Sequence, residues 1–400
     1  MNKHTKQQTR PNKFRKTLKK LHLYLGLLVG FLVFFISITG CLYVFKDEVE
    51  NYQRKEYMFL DKAEYQGKQK LELKTLEKIV ENQLQEEYPV HWVNVSIDSA
   101  RTYQFYYYER DEHAWNYFDE FPIYKSAYVN QYTGEILKVY DEKLTFFNIV
   151  KNLHWGYLLN SDWGKYATGI PVIIFMFMTI SGIILWWPKN KAARKQRFWF
   201  RWKNVKSWKR KNYDMHNIVG FYASIFGLIF SITGLFYAFL VVQALVYFVF
   251  SGGNTTYPEF SQYQTVDPIE LKTDQTLDII ADKVIELYPD ATLFSIDLGN
   301  EHMDDHEHPN FEVYVKHLSY SYHKSSSLVF DEHSGRLLHQ HDPEDKDFGE
   351  KVVSANYDLH VGAILGLPSK IIAFIASLMC ASLPVTGFLI WWGKRKKEKK

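Results

Sequence analysis

Four stretches of this chain are long, apolar and free of formal charge, and they decide what it can fold into. Leu21–Phe45, Tyr166–Trp187, Ile218–Phe250 and Ile371–Trp392 contain no Asp, Glu, Lys or Arg. A helix needs roughly 20 apolar residues to cross about 30 Å of hydrocarbon, and each stretch meets that length. A mean hydropathy of −0.27 would suit a soluble protein, but it averages these runs with two long polar segments. The sequence divides into a basic N-terminal segment (1–20), a first span (21–45), an outer segment (46–165) and a second span (166–187). A basic loop (188–214), a third span (215–250), a second outer segment (251–366), a fourth span (367–392) and a basic tail (393–400) follow. Each polar segment is long enough for a small domain of its own.

Charge orients the spans. Residues 1–20 carry eight Lys/Arg and no acid, residues 189–211 carry eleven and no acid, and Lys394–Lys400 carries six against one Glu. The positive-inside bias predicts a multi-pass protein of the cell (inner) membrane, with both termini and the central loop cytoplasmic. Both long segments then face outward, and an even number of spans satisfies all three basic regions at once. The first apolar run is too long for a signal peptide and lacks a small-residue cleavage site around Cys41-Leu-Tyr-Val-Phe45, so it reads as an uncleaved anchor. Cys41 and Cys380 are the only cysteines, and both fall in spans, so no disulfide framework staples the outer segments. The pI near 8.4 reflects the basic collars and gives no reason to invoke nucleic acid.

The chain repeats itself. His22 is followed by Gly26 and then Ser37-Ile-Thr-Gly40, and His216 by Gly220 and then Ser231-Ile-Thr-Gly234, with 18 residues from His to the last Gly both times. Asn152-Leu-His154-Trp-Gly156 parallels Asp358-Leu-His360-Val-Gly362, and Ser181-Gly182 through Trp186-Trp187 parallels Thr386-Gly387 through Trp391-Trp392. The outer segments match more faintly. A helix from Thr75-Leu76 to Tyr88-Pro89 answers one from Thr276-Leu277 to Tyr288-Pro289. Alternating runs at Val93–Ile97, Gln104–Tyr108, Phe294–Leu298 and Phe311–Val315 predict antiparallel strands. Gly134 and Gly335 each mark a turn entering a further strand. Self-similarity of this period predicts a duplicated span–domain–span unit, its copies related by an axis along the membrane normal.

The repeat singles out His22, His154, His216 and His360. Topology places His22 and His216 at the cytoplasmic rim, and His154 and His360 at the outer rim. Neutral imidazole is the usual axial ligand of haem iron, and two histidines on facing helices can clamp one porphyrin. Gly26, Gly220, Gly156 and Gly362 beside them would let a flat macrocycle approach, although small residues equally let helices pack. A histidine at a membrane interface can also be only an amphipathic anchor, or a structural hydrogen bond copied by duplication. Four of them, two per rim, favour haem. The four uncharged stretches hold no Asp, Glu, Lys or Arg, which argues against a proton-coupled pump.

These residues resemble the PepSY-associated transmembrane family. The resemblance runs from about residue 14 to 393 and rests on the Leu-His-x-x-Leu-Gly opening, the Ser-Ile-Thr-Gly element, the Leu-His-x-Gly repeat and the Gly-x-x-x-Trp-Trp close. It implies a membrane α-helical fold with four transmembrane helices in two pseudo-repeats, each with an extracytoplasmic α+β PepSY-like domain. Members include inner-membrane siderophore-iron reductases that bind haem b through histidines. The resemblance therefore implies two bis-histidine haems on His22, His154, His216 and His360, and a ferric siderophore or other ferric complex as substrate. The electron donor would be a quinol or a cytoplasmic reductase. Membrane lipid is the other partner. PepSY modules also occur in proteins thought to restrain or sense peptidases, so a non-enzymatic regulator, or an accessory to an iron or haem transporter, is the alternative.

Other features carry less. Glu301-His302-Met-Asp304-Asp305-His306-Glu307-His308, with His339 and His341 further on, reads as a solvated hairpin loop before it reads as a metal or ferric-ligand site. The paired tryptophans at 186–187 and 391–392 suit an aromatic belt, and Phe198–Trp202 with Trp208 suits the inner leaflet. No P-loop and no dinucleotide-binding glycine fingerprint occurs, so a flavin or nicotinamide site on this chain is not expected.

Overall fold

The computed structural model describes residues 13–84, 89–188, 197–256, 275–298 and 310–398. The Glu301–His308 cluster lies outside the described residues, as do Lys3, Lys6 and Arg10, the 189–196 part of the central collar and Tyr88.

Four helices are long and apolar enough to cross a membrane: Lys13–Tyr43, Ser161–Trp186, Trp208–Ala238 and Leu367–Glu398. This is a membrane protein. The first span packs against the second and fourth, and the third packs against the same two. The four therefore form a ring in which the first and third spans are diagonal partners. Large apolar side chains cover the outside, Phe31 being 76% exposed and Ile225 58%, a surface that only lipid stabilises.

The first, third and fourth helices overrun the uncharged stretches at their basic ends, and the second overruns its stretch at the opposite end. At the other end of the third span the sequence reading is corrected, because 215–250 is not one helix. Phe239 adopts extended backbone (φ −138°, ψ 117°), and a separate helix, Leu240–Phe250, follows. The ring of Phe239 packs against Gly169, whose missing side chain makes room for it, and lies 5.9 Å from the ring of Tyr166. The Gln243 amide donates to the carbonyl of Phe236 at 2.9 Å, serving a carbonyl near the broken helix end.

The two outer segments do not fold apart. Their strands are β1 (Trp92–Ser96), β2 (Tyr103–Tyr108), β3 (Tyr124–Val129), β4 (Ile136–Asp141), β5 (Leu293–Asp297), β6 (Asn310–Lys316), β7 (Ser325–Asp331) and β8 (Leu337–His341). They form one eight-stranded antiparallel sheet in the order β4-β3-β2-β1-β5-β6-β7-β8. Each segment alone would be a meander with β1 or β5 as an open edge, and pairing Trp92 with Asp297 through Ser96 with Leu293 closes both. The helices Leu73–Leu84 and Thr276–Leu287 lay Leu76, Val80, Ile280 and Val284 on Val93, Phe105, Phe294 and Val315 in one continuous core. Gly134 (φ 75°) and Gly335 (φ 66°) make the expected turns, and each also lies against an isoleucine of its helix, Ile79 or Ile279.

Two ion pairs anchor the helix Lys46–Met58 that follows the first span, one toward the sheet and one toward the fourth span. Arg54 grips Glu142 at 2.6 and 3.0 Å while Ser126 donates to the same carboxylate at 2.6 Å. Lys370, 2% exposed at the head of the fourth span, reaches Glu48 at 2.9 Å and Asp47 at 3.4 Å beyond the first.

Candidate haem-binding site

Each of the four histidines meets a hydroxyl that directly precedes a glycine. His22 Nδ1 lies 2.9 Å from Ser181 Oγ, and His216 Nδ1 3.0 Å from Thr386 Oγ1. His154 Nδ1 lies 2.9 Å from the Ile36 carbonyl and 3.2 Å from Thr39 Oγ1, and His360 Nδ1 2.8 Å from Thr233 Oγ1. The following glycines, Gly182, Gly387, Gly40 and Gly234, face the ring Cε1 so closely that a Cβ would stand 3.4, 3.3, 2.9 and 3.3 Å from it. The dipeptide thus holds the ring at two points.

The hydroxyls fix the tautomer. A hydroxyl has one proton, and here it goes to a carbonyl of the same helix: Ser181 to Met178 at 3.0 Å, Thr386 to Ser382 at 2.8 Å, Thr39 to Phe35 at 2.9 Å and Thr233 to Ile229 at 2.7 Å. What faces the imidazole is then a lone pair, so Nδ1 must donate and Nε2 carries the unprotonated lone pair. At His154 the point is independent of any rotor, since the Ile36 carbonyl can only accept. This is how a protein orients a histidine that ligates metal through Nε2. Burial and the neighbouring His154 push His360 down to about 3, and burial likewise lowers His154, so both are neutral as a ligand must be.

The rings line two cavities. His22 and His216, on the diagonal first and third spans, line one of about 740 Å³ with Gly26, Gly30, Gly182, Gly220 and Gly387. His154 and His360 line one of about 230 Å³, their ring centres 5.9 Å apart. Val33 and Phe175 belong to both walls, so the cavities are neighbours. The helices before the second and fourth spans, Phe146–Gly156 and Asn356–Val361, carry the outer pair. In the second half of the chain an asparagine one turn before each histidine adds a further grip. Asn212 donates to the Thr386 carbonyl at 3.0 Å and Asn356 to the Thr233 carbonyl at 3.1 Å.

The residues fit haem. Two imidazoles alone make a poor site for a bare metal ion, which takes three or four protein ligands. They suit a metal whose equatorial positions a macrocycle fills. Among the described residues no group of three or more His, Cys, Asp or Glu gathers to hold a metal. The outer rings stand with centres 5.9 Å apart, near enough that both imidazoles could serve one metal held between them. The inner cavity at about 740 Å³ falls within the roughly 300–1,000 Å³ of cofactor pockets. The outer one is below that range in this structure, and its fit rests on the imidazole spacing.

Two of the glycines do other work than expected. Gly156 lies against the backbone of Gly164, where a Cβ would come within 2.9 Å, so it lets the His154 helix cross the second span. Gly362 has φ 78° and lies against Ala373 and Ser369, turning the chain into the fourth span. The hydroxyl partners went unassigned in the sequence, although the recurring Ser/Thr-Gly dipeptide was their signal.

The chain is a four-span membrane protein with two histidine pairs in its bundle and an eight-stranded antiparallel sheet. The chain matches the family described as PepSY-associated TM region over residues 19–394, nearly its whole length, and belongs to it. Among curated proteins none matches the chain.

Proposed function

We propose that this chain is a haem-binding membrane oxidoreductase that moves electrons across the membrane to reduce ferric, siderophore-type iron outside. The observation that carries this reading is the hydrogen bonding of the four histidines, which leaves every Nε2 lone pair available in a cavity shared with a second imidazole. His22 and His216 would hold one haem b, and His154 and His360 the other. Haem b would supply reversible one-electron chemistry at iron. The chain's own part is to keep four imidazoles neutral and oriented, to exclude water with apolar walls, and to set the two sites side by side across Val33 and Phe175. The outer pair is braced toward the sheet. Asp358, fully buried two residues before His360, accepts from the Tyr322 and His323 backbone at 2.9 and 2.8 Å, on the connection between β6 and β7. A ferric complex would therefore receive electrons on the sheet side, with a quinol or a cytoplasmic reductase as donor at the other. The reading includes a chain made of two copies of one span–domain–span unit, PepSY-like outer units, and cytoplasmic termini in the inner membrane. The basic collars and the family support it.

The test is an absorption spectrum of the detergent-purified protein. Dithionite should bring up split alpha and beta bands with about two haems per chain. His154→Ala or His360→Ala should remove the outer contribution and leave the inner. Stopped-flow reoxidation by ferric siderophores then tests the substrate. A colourless, folded protein from haem-replete cells would leave the non-enzymatic regulatory reading in place.

A further inference from the structure

Lys151 is a charge that none of the preceding chemistry uses. It sits on the helix Phe146–Gly156, three residues before His154, so the two side chains share a helix face. It lines the outer cavity together with His154, His360, Tyr43 and Tyr357. A partly buried ammonium needs an anion, because desolvation otherwise goes uncompensated. The acids around it are occupied. Glu142 is held by Arg54 at 2.6 Å and by Ser126 at 2.6 Å, and Glu50 by Lys46 at 3.1 Å and Arg54 at 3.5 Å. Lys165, the other lysine on this wall, is taken by Asp162 at 3.1 Å. Lys151 itself makes no ion pair or hydrogen bond among the described residues.

We propose that Lys151 receives a carboxylate of the macrocycle held between His154 and His360, an inference that rests on the haem reading above. The ligand class this selects is a porphyrin with free acid side chains. Burial, aided by Lys46, pushes the Lys151 ammonium down to about 8 against the pull of Glu142 and Glu50, the condition of a cation short of a partner. An arriving carboxylate supplies the partner and anchors the ring edge on the side of the helix that carries the ligand. The inner cavity shows a parallel, more exposed arrangement, where Lys19 and Lys394 line the wall without an acid among the lining residues.

The experiment isolates the outer site in the full-length chain with His22→Ala and His216→Ala, then titrates haem b and its dimethyl ester while following the Soret band. The free acid should bind about tenfold tighter or more than the ester, as a charge-assisted hydrogen bond in a partly buried site gives. Lys151→Gln should erase that preference and Lys151→Arg should keep most of it. Equal binding of acid and ester with Lys151 present, or an undiminished preference in Lys151→Gln, overturns the proposal while the haem reading stands. No Soret shift with either porphyrin overturns the haem reading at this pair, and the Lys151 role with it. A second measurement needs no histidine change. In the four-histidine protein Lys151→Gln should move the midpoint potential of the outer haem downward, because loss of a nearby cation favours the ferric state, and an unmoved potential also counts against the proposal.

Discussion

Each of the four rings is held by a bond at Nδ1 and a glycine at Cε1, but the four grips are not equal. Among the described residues His360 Nδ1 bonds Thr233 alone, at 2.8 Å, whereas His154 has both Thr39 at 3.2 Å and the Ile36 carbonyl at 2.9 Å. Removing the hydroxyl should therefore matter more on one side of the outer pair than on the other. Thr233→Val keeps the shape, leaves Nδ1–H without an acceptor, and should cost about 1 kcal/mol, or roughly fivefold in haem affinity. Thr39→Val should cost clearly less, because the backbone carbonyl still fixes the tautomer. Titration of both variants with haem decides it. Equal losses would mean that the hydroxyls, and not the full set of acceptors, orient the rings. The glycines set a harder limit, since a side chain at Gly40 would start 2.9 Å from the His154 ring and force it off its axis.

The spans, six of the eight strands and the two outer helices were legible because each carries its own periodicity, whereas β3 and β7 were not singled out. A run of 25 uncharged residues or an alternation such as Phe294–Leu298 needs no distant partner to be read. The histidines were legible for the same reason, as ionisable groups in apolar surroundings. What stayed hidden depends on contacts between distant residues. His22 and Ser181 lie 159 positions apart, and the strands β1 and β5 join segments with no local mark of their pairing. The break at Phe239 is hidden for a related reason. Neither Gly nor Pro marks it, and what makes room for it is Gly169 on another span. Once broken, the helix Leu240–Phe250 exposes Leu240 by 81% and Val249 by 64%, while Tyr247 turns inward to bond Asp347 at 3.0 Å. A helix with no charge and an exposed surface of Leu240, Val241, Leu245 and Val249 is covered by lipid, not water. A spin label at Leu245→Cys should be shielded from aqueous relaxation agents and broadened by oxygen once the protein is in liposomes. Free access of a water-soluble nickel chelate to that site would mean the helix stands clear of the lipid.

At the scale of the whole molecule, orientation and pairing are divided between the halves in different ways. Every histidine finds its hydroxyl in its own half: His22 with Ser181 and His154 with Thr39 before the basic loop, His216 with Thr386 and His360 with Thr233 after it. Every pair, by contrast, takes one imidazole from each half, since His22 shares its cavity with His216 and His154 with His360. The halves are held together by the β1–β5 pairing, by the first span on the fourth and the second on the third, and by contacts such as Ser377 to the Ser37 carbonyl at 2.8 Å and Lys370 to Glu48 at 2.9 Å. A chain cut within the basic loop and expressed as two polypeptides, 1–196 and 197–400, should therefore reassemble. Copurification through a tag on one half should recover the other, along with the split reduced bands of six-coordinate haem. Each half alone keeps oriented imidazoles but only one per cavity, and leaves β1 or β5 as an open edge that invites aggregation. It should yield no pigment or a five-coordinate, high-spin one. A low-spin spectrum from a monomeric first half would mean that His22 and His154 find their second ligands within that half, and the pairing across the bundle axis would have to be abandoned.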